Sequence, residues 1–208
     1  RVALDLGVGL ASLSAVGIAI FMGVTLFSKE IDQRTIYILL SRPVSRGGYL
    51  FGKLLGLSYV LVLNTAILAV MTLLVYFLLG GDFQALFIWN MWFIFLEALI
   101  VLSIVVLLSF ITNMTLSVLY TFVIYVIGHA LEGTKDLVFV KSNMVVLRLL
   151  DFFSYIFPNL SLLNFKDHLL YDRAVPLYTM IKSSLYGLSY TAVIFSVAIF
   201  VFTRKDLS

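Results

Sequence analysis

The chain has 208 residues, 62% hydrophobic and 12% charged, with a mean hydropathy of +1.10 and a net charge of +3. Soluble domains are about half apolar and about a quarter charged, so this chain has too little polar surface to coat a water-soluble globule. With no cysteine and only His129 and His168, disulfides and thiolate metal sites are excluded, and a histidine-based zinc site is disfavoured; a small positive charge at the edges of apolar runs makes no case for nucleic-acid binding.

The first apolar run, Leu6 to Ser28, carries no charge and predicts a span over 6–28. It is preceded by Arg1 and Asp5 and followed by no small-residue cleavage site, so it is not read as a signal peptide. The non-Met start points to something cut away or left out upstream. Gly7, Ala11, Ala15, Ala19 and Gly23 recur every fourth residue and form a small-residue ridge. Such a ridge lets another helix approach closely, either inside the subunit or at an interface lining a path or joining protomers.

Leu54 to Gly81 is again uncharged and predicts a span over 54–79, with Ser58, Thr65 and Thr72 on one polar stripe extended by Tyr76. Phe83 to Leu131 holds a single charge, Glu97, and is long enough for two crossings, 85–111 and 114–131, turning at Thr112-Asn113. The last run gives a span over 183–203. Lipid offers the backbone no hydrogen-bond partners, so the runs are helices, and the short alternating segments of a barrel are absent. The fold class is therefore an all-α polytopic membrane protein with five transmembrane helices, read as a single transmembrane domain over 1–208.

Glu97 is the only formal charge inside a predicted span, and Asn90 lies seven residues before it on the same stripe. A carboxylate at that depth costs a few kcal/mol or more and faces a bundle interior or a water-filled cavity. It is either a structural polar contact or part of a passage for substrate. Thr121, Tyr125 and His129 follow one another at i+4; Ser103 and Ser109 fall off the Glu97 stripe. The serines and threonines are expected to hydrogen-bond between helices and hold the bundle. Asn90, Glu97 and His129 are the candidates for a translocation path.

Two polar segments remain. Segment 29–53 carries Lys29, Arg34, Arg42, Arg46 and Lys53, more densely basic than segment 132–182, where six basic residues are spread over twice the length and offset by acids. Basic loops stay in the cytoplasm, which puts 29–53 and the C-terminus inside and 132–182 outside. An outside N-terminus without a signal peptide is resolved by a further upstream span, six in the intact protein. In 132–182 the apolar stretches Met144–Phe157 and Leu160–Phe165, separated by Pro158-Asn159, predict short helices at or dipping into the outer surface. Asn159-Leu160-Ser161 is a formal but unspecific glycosylation sequon.

Within 29–49, Glu30 and Arg34 stand at i, i+4; Ile31, Thr35, Ile38 and Leu39 share a face; Pro43 ends the helix, and Gly47-Gly48 frees the chain to re-enter the membrane. On helix physics alone this is an amphipathic surface helix flanked by arginines. Glu30, Arg34-Thr35-Ile36-Tyr37, Leu39-Leu40-Ser41-Arg42-Pro43-Val44-Ser45-Arg46 and Gly52-Lys53 closely resemble the cytoplasmic loop of type-2 ABC exporter permeases. The likeness is greatest to the branch with the nitrous oxide reductase maturation and gliding-motility permeases.

The resemblance implies a six-span fold matched here from its second span to its end. It implies a coupling helix docking in a separate ATPase, and an extracytoplasmic gate in 132–182. Tyr37, Leu39 and Leu40 would anchor in the ATPase cleft, Arg42 and Arg46 would make rim contacts, and Glu30 would hold the helix through Arg34. Thr35, Ser41 and Pro43 complete the transmission surface. The implied partners are an ABC ATPase, a second permease protomer (identical or not) and the lipid bilayer, with no nucleic acid. The implied location is a bacterial inner membrane. The permease holds no cofactor and does no covalent chemistry; ATP and Mg²⁺ belong to the ATPase.

Gly47-Gly48-Tyr49-Leu50-Phe51-Gly52-Lys53 mimics the start of a phosphate-binding loop, but Leu54 stands where Ser or Thr is needed and no strand precedes it. An intramembrane enzyme would need converging acid, base or metal ligands, and Glu97, His129 and His168 are sparse candidates. The principal alternative is a channel or assembly scaffold working without an ATPase. The 18 Phe and 11 Tyr suit an amphipathic cargo, yet membrane helices are rich in such residues in any case.

Overall fold

The computed structural model describes residues 2–32, 46–135, 144–171 and 174–204. Five helices are long and apolar enough to cross a membrane: α1 (Val2–Asp32), α2 (Arg46–Leu78), α3 (Leu86–Ile111), α4 (Met114–Lys135) and α7 (Leu177–Arg204). Between α4 and α7 lie α5 (Met144–Ile156), a 3-10 turn (Leu160–Leu163) and the short α6 (Lys166–Leu170). No strand occurs among the described residues.

Every predicted span is present, but the helices outrun the apolar runs. α1 continues through Glu30 to Asp32, and α2 starts at Arg46, so Glu30 extends the first span instead of opening a separate helix. Gly47-Gly48 likewise lies within the first turn of α2 and is no hinge. At 1.5 Å per residue these two helices run to about 45–50 Å, beyond the roughly 30 Å hydrocarbon core.

α3 is the hub. It is apolar on every side apart from Asn90, Glu97 and two serines, and a helix of that kind belongs in the interior; Phe93, Leu96, Ile100 and Leu102 are fully buried. α1 packs on it in parallel, with Gly23 against Val105 and Leu102. α7 runs parallel on another side, pairing Trp92 Nε1 with Ser184 Oγ at 3.1 Å, Leu96 with Gly187, and Phe110 with Phe202 at 5.0 Å between rings. α2 is antiparallel to α1: Gly7 meets Thr72, Ser14 bonds Asn64 at 3.1 Å, and Lys53 Nζ donates to the Leu26 carbonyl at 2.6 Å. The small-residue ridge of α1 thus packs inside the chain, with Ala11, Ala15 and Ala19 buried. Gly23→Ala should destabilise the protein by about 1 kcal/mol, read by thermal unfolding in micelles, since an added Cβ meets the branched Val105 side chain.

The turns follow from local chemistry. α2 ends in a Schellman motif: Gly80 takes φ +78°, its N–H bonds Phe77 O at 2.9 Å and the Gly81 N–H bonds Tyr76 O at 3.0 Å. α3 and α4 join at Thr112-Asn113, where the Ser117 N–H donates to Asn113 O at 2.9 Å and the Thr112 and Ser117 hydroxyls pair at 2.8 Å.

Residues 144–170 cap one end of the bundle. Lys135 at the end of α4 bonds Asp151 at 2.8 Å and Ser154 at 3.2 Å on α5. At the Pro158-Asn159 break, freed backbone groups find tyrosines of α7: the Tyr186 hydroxyl accepts from Asn159 N at 2.8 Å and the Tyr190 hydroxyl reaches Ile156 O at 3.5 Å. Leu160, Leu163, Phe165 and Leu169 then sink into the bundle, with Phe165 stacked 4.5 Å from Phe93. Within the capping segment α5 stays on the surface, with Val145, Leu149 and Phe152 more than half exposed, while residues 160–169 dip into the core.

The hydroxyl stripes correct the sequence reading. Ser58, Thr65, Thr72, Ser103 and Thr121 each donate to the carbonyl four residues back on their own helix, and Ser109 to the one three back. That carbonyl is always within reach, whereas a partner on another helix is not. Ser14 with Asn64 and Trp92 with Ser184 do bridge helices.

Candidate functional site

Asn90 and Glu97 sit on one face of α3 because seven residues are close to two full turns. Glu97 stands eleven residues after Leu86, about 16 Å down the helix and near the middle of the span. His129 lies on α4, six residues before its end at Lys135, and the two antiparallel helices bring it to the same depth. His129 Nε2 is 2.7 Å from Glu97 Oε1. Tyr125, one turn before His129, sets its ring edge-on to the imidazole at 4.8 Å and lines the same cavity as Glu97 and Ser12.

These groups form the polar wall of a cavity of about 570 Å³. α1 contributes Val8, Gly9, Ser12 and Leu13; α3 contributes Asn90, Ile94 and Glu97; α4 contributes Tyr125, Val126, His129 and Ala130. The capping segment roofs it with Leu163, Asn164 and Lys166. On its wall Leu13 of α1 and Val126 of α4 are 69% and 47% exposed. All three residues anticipated for a path, Asn90, Glu97 and His129, therefore line one cavity.

Burial sets the energetics. Glu97 is 4% exposed, and an isolated carboxylate there is costly unless paired and hydrogen-bonded. The His129 imidazole meets that need at 2.7 Å. Asn90 is 2% exposed, yet its Nδ2 has no hydrogen-bond partner among the described residues. An unmet buried donor costs about 1–3 kcal/mol.

The roof is tied down at two points. Lys166 Nζ pairs with Asp5 Oδ1 of α1 at 2.6 Å, and the Ser161 hydroxyl donates to the His129 carbonyl at 3.0 Å. A Cβ on Gly128 would lie 2.6 Å from the Pro158 carbonyl, so glycine there lets the capping segment cross α4 at backbone contact. Ser12, Asn164, Lys166 and Asp5 carry no sequence signal that singles them out; Tyr125 was visible only as part of its i+4 row.

Of the residues expected to couple to an ATPase, Glu30 lies in the last turn of α1 and Arg46 opens α2. Arg34, Thr35, Tyr37, Leu39, Leu40, Ser41, Arg42 and Pro43 lie outside the described residues. Gly47 to Lys53 is helical, which rules out a phosphate-cradling loop at that position. The sequon residue Asn159 has its Oδ1 buried, and Leu160 is fully buried.

A family model described as ABC-2 family transporter protein matches residues 9–207. A comparison with curated proteins gave no match. The match takes in all but the first turns of α1 and every later span, with all the cavity's lining residues but Val8, and the chain belongs to the ABC-2 family of transporter proteins as a membrane permease component.

Proposed function

We propose that this permease couples ATP hydrolysis by a separate ATPase subunit to export of a substrate by alternating access, and that the Glu97–His129 cavity is part of the path. The observation that carries the path assignment is a buried carboxylate–imidazole pair in the middle of a span, on the wall of a cavity that opens between two helices. Buried ionisable groups inside membrane segments cluster on substrate and ion pathways. Two protomers, identical or different, would enclose a path that a single bundle of five spans leaves open on one side.

The long antiparallel pair α1 and α2 supports the coupling assignment. Lys53 holds α2 to the Leu26 carbonyl of α1, and the two helices flank segment 33–45 in the chain. In this reading 29–53 is the cytoplasmic coupling loop and Tyr37, Leu39 and Leu40 anchor in the ATPase, with Arg34, Arg42 and Arg46 at the rim. Segment 132–182 is extracytoplasmic and gates the cavity from above. The C-terminus follows Arg204 into the cytoplasm, and the membrane is a bacterial inner membrane. ATP and Mg²⁺ are held by the ATPase.

The test is a pull-down of the tagged full-length protein from native membranes, with ATPase activity assayed on the eluate. A stoichiometric ATPase is expected, and Tyr37→Ala with Leu40→Ala should reduce its recovery at least tenfold while the permease still extracts as a folded protein. Recovery of the permease alone under several mild detergents would favour a channel or scaffold. An ATPase retained by the double variant would sink the assignment of these two anchors.

A further inference from the structure

We propose that the groove between α3 and α7 holds one glycerophospholipid from the leaflet at the capped end of the bundle. Its acyl chain lies in the groove, an ester carbonyl meets the Ser184 hydroxyl and its phosphate meets Lys182. The inference needs only that the chain crosses a membrane, and it stands apart from the Glu97 cavity and from the exporter reading.

Ile88, Trp89 and Trp92 of α3 face Ile181, Leu185 and Leu188 of α7 across a hollow of about 480 Å³. Residues three and four apart stack along one helix face, so the groove runs parallel to the spans. Ile88 and Leu185 are both 61% exposed, so it is open to the surroundings of the bundle. At 26 and 28 residues the two helices are about 40 Å long, against a hydrocarbon core of roughly 30 Å. About 5 Å of each end therefore projects beyond the hydrocarbon. Trp92 lies six residues after Leu86 and Ser184 seven after Leu177, both about 10 Å along and just below that boundary. Tryptophan collects at this level of a bilayer. What borders an open apolar groove there is lipid, whose chains run in the direction of the groove.

Two polar groups make the groove a site. Thr191 and Ser196 of α7 donate to the carbonyl four residues back. Ser184, which lines the groove, instead accepts from Trp92 Nε1 at 3.1 Å, and its own proton goes to no acceptor among the described residues. That bonded pair is exposed, so a ligand can reach the hydroxyl. In lipid an unmet donor is costly, and an ester carbonyl at the head of an acyl chain is an acceptor at the right depth. Lys182 is exposed, two residues before Ser184, with no ion-pair partner among the described residues. Helical side chains lean toward the helix N-terminus, so its stem rises to the headgroups, where phosphate lies. A phospholipid meets both needs in the order chain, ester, phosphate that the groove presents.

The two tryptophans of the 208 residues are Trp89 and Trp92, so tryptophan fluorescence reads the groove. The variant with both Trp89→Phe and Trp92→Phe gives the background of the full-length protein. The full-length protein in dodecylmaltoside micelles is titrated with phosphatidylglycerol brominated near the ester end of its acyl chain, bromine being a short-range quencher. Quenching should saturate at a single lipid per chain. The ether-linked analogue, which lacks the carbonyl, should need at least fivefold higher concentration. That comparison uses the intact protein and depends on no variant's folding.

Ser184→Ala should erase the difference between ester and ether lipids. Lys182→Gln should weaken phosphatidylglycerol at least fivefold and leave brominated diacylglycerol, which has no phosphate, unchanged. Quenching that climbs with the mole fraction of lipid and never saturates makes the groove ordinary lipid-facing surface and overturns the proposal. An absence of quenching means that protein covers the groove, a second copy included, and overturns it as well. Equal affinity for ester and ether lipids in the intact protein overturns the Ser184 contact, and a Lys182→Gln loss shared by diacylglycerol overturns the phosphate contact.

Discussion

His129→Ala is expected to destabilise the protein by about 2–3 kcal/mol, and adding Glu97→Gln to the same chain is expected to recover most of that loss. Removing the imidazole leaves a carboxylate that is 4% exposed without its partner at 2.7 Å. Truncating one partner of a buried hydrogen-bonded pair costs more than replacing both, because the remaining group is left unpaired. The figure is set below the usual range for such a break because His129 is 28% exposed. Glu97→Gln alone keeps the shape, presents an amide oxygen to His129 Nε2, and should cost less than about 1 kcal/mol. The measurement is a double-mutant cycle on reversible unfolding in mixed micelles. A coupling energy near zero would mean that the two side chains do not act as a pair. Equal losses for His129→Ala and the double variant would mean the same.

The spans were readable because the bilayer imposes a rule that sequence shows directly: a long run without charge must be a helix. The ends were less so. Hydropathy marks where a helix meets lipid, while its hydrogen-bond ladder continues past the headgroups, which is why α1 reaches Asp32 and α2 begins at Arg46. The glycine pair Gly47-Gly48 reads as a hinge from propensity, yet Leu50 is fully buried and Gly47 faces Ile199 of α7, so packing overrides about 1 kcal/mol per glycine. The hub position of α3 was implicit in its lack of a polar face. Using that signal requires knowing that the helices gather around one centre.

The site was half visible. Asn90 and Glu97 were identifiable as one stripe and His129 as the end of another, because both patterns are local. Their convergence depends on how α3 and α4 are rotated about their axes, and periodicity within one helix says nothing of that. Ser12 is an ordinary serine in an apolar helix, and Lys166 an ordinary lysine in a polar segment. Ser12 reaches the cavity through the rotation of α1, and Lys166 because the capping segment folds back over α1, drawn by Leu160, Leu163 and Phe165, whose burial a short apolar stretch between polar residues does not announce.

Two glycines on α4 separate close approach from mere helix propensity. Gly128 and Gly133 lie five residues apart in one helix, and intrinsic propensity favours alanine over glycine at either by up to about 1 kcal/mol. At Gly133 an added Cβ meets nothing within 4 Å, so Gly133→Ala should stabilise the protein slightly. At Gly128 the same methyl lies 2.6 Å from the Pro158 carbonyl and about as close as packing permits to Leu160. The obstacle is backbone and cannot rotate aside, so the capping segment must lift. Overpacking of this kind costs about 1–3 kcal/mol, enough to outweigh the propensity gain and make Gly128→Ala net destabilising. Lifting the segment also stretches the Ser161 bond to the His129 carbonyl and opens the roof formed by Leu163, Asn164 and Lys166. Ser12→Cys, a thiol on the cavity wall, should therefore be labelled by N-ethylmaleimide faster in the Gly128→Ala background and at an unchanged rate with Gly133→Ala. If both variants prove equally stable and equally labelled, the crossing at Gly128 does not set the height of the roof, and the cavity is closed by Asp5 and Lys166 instead.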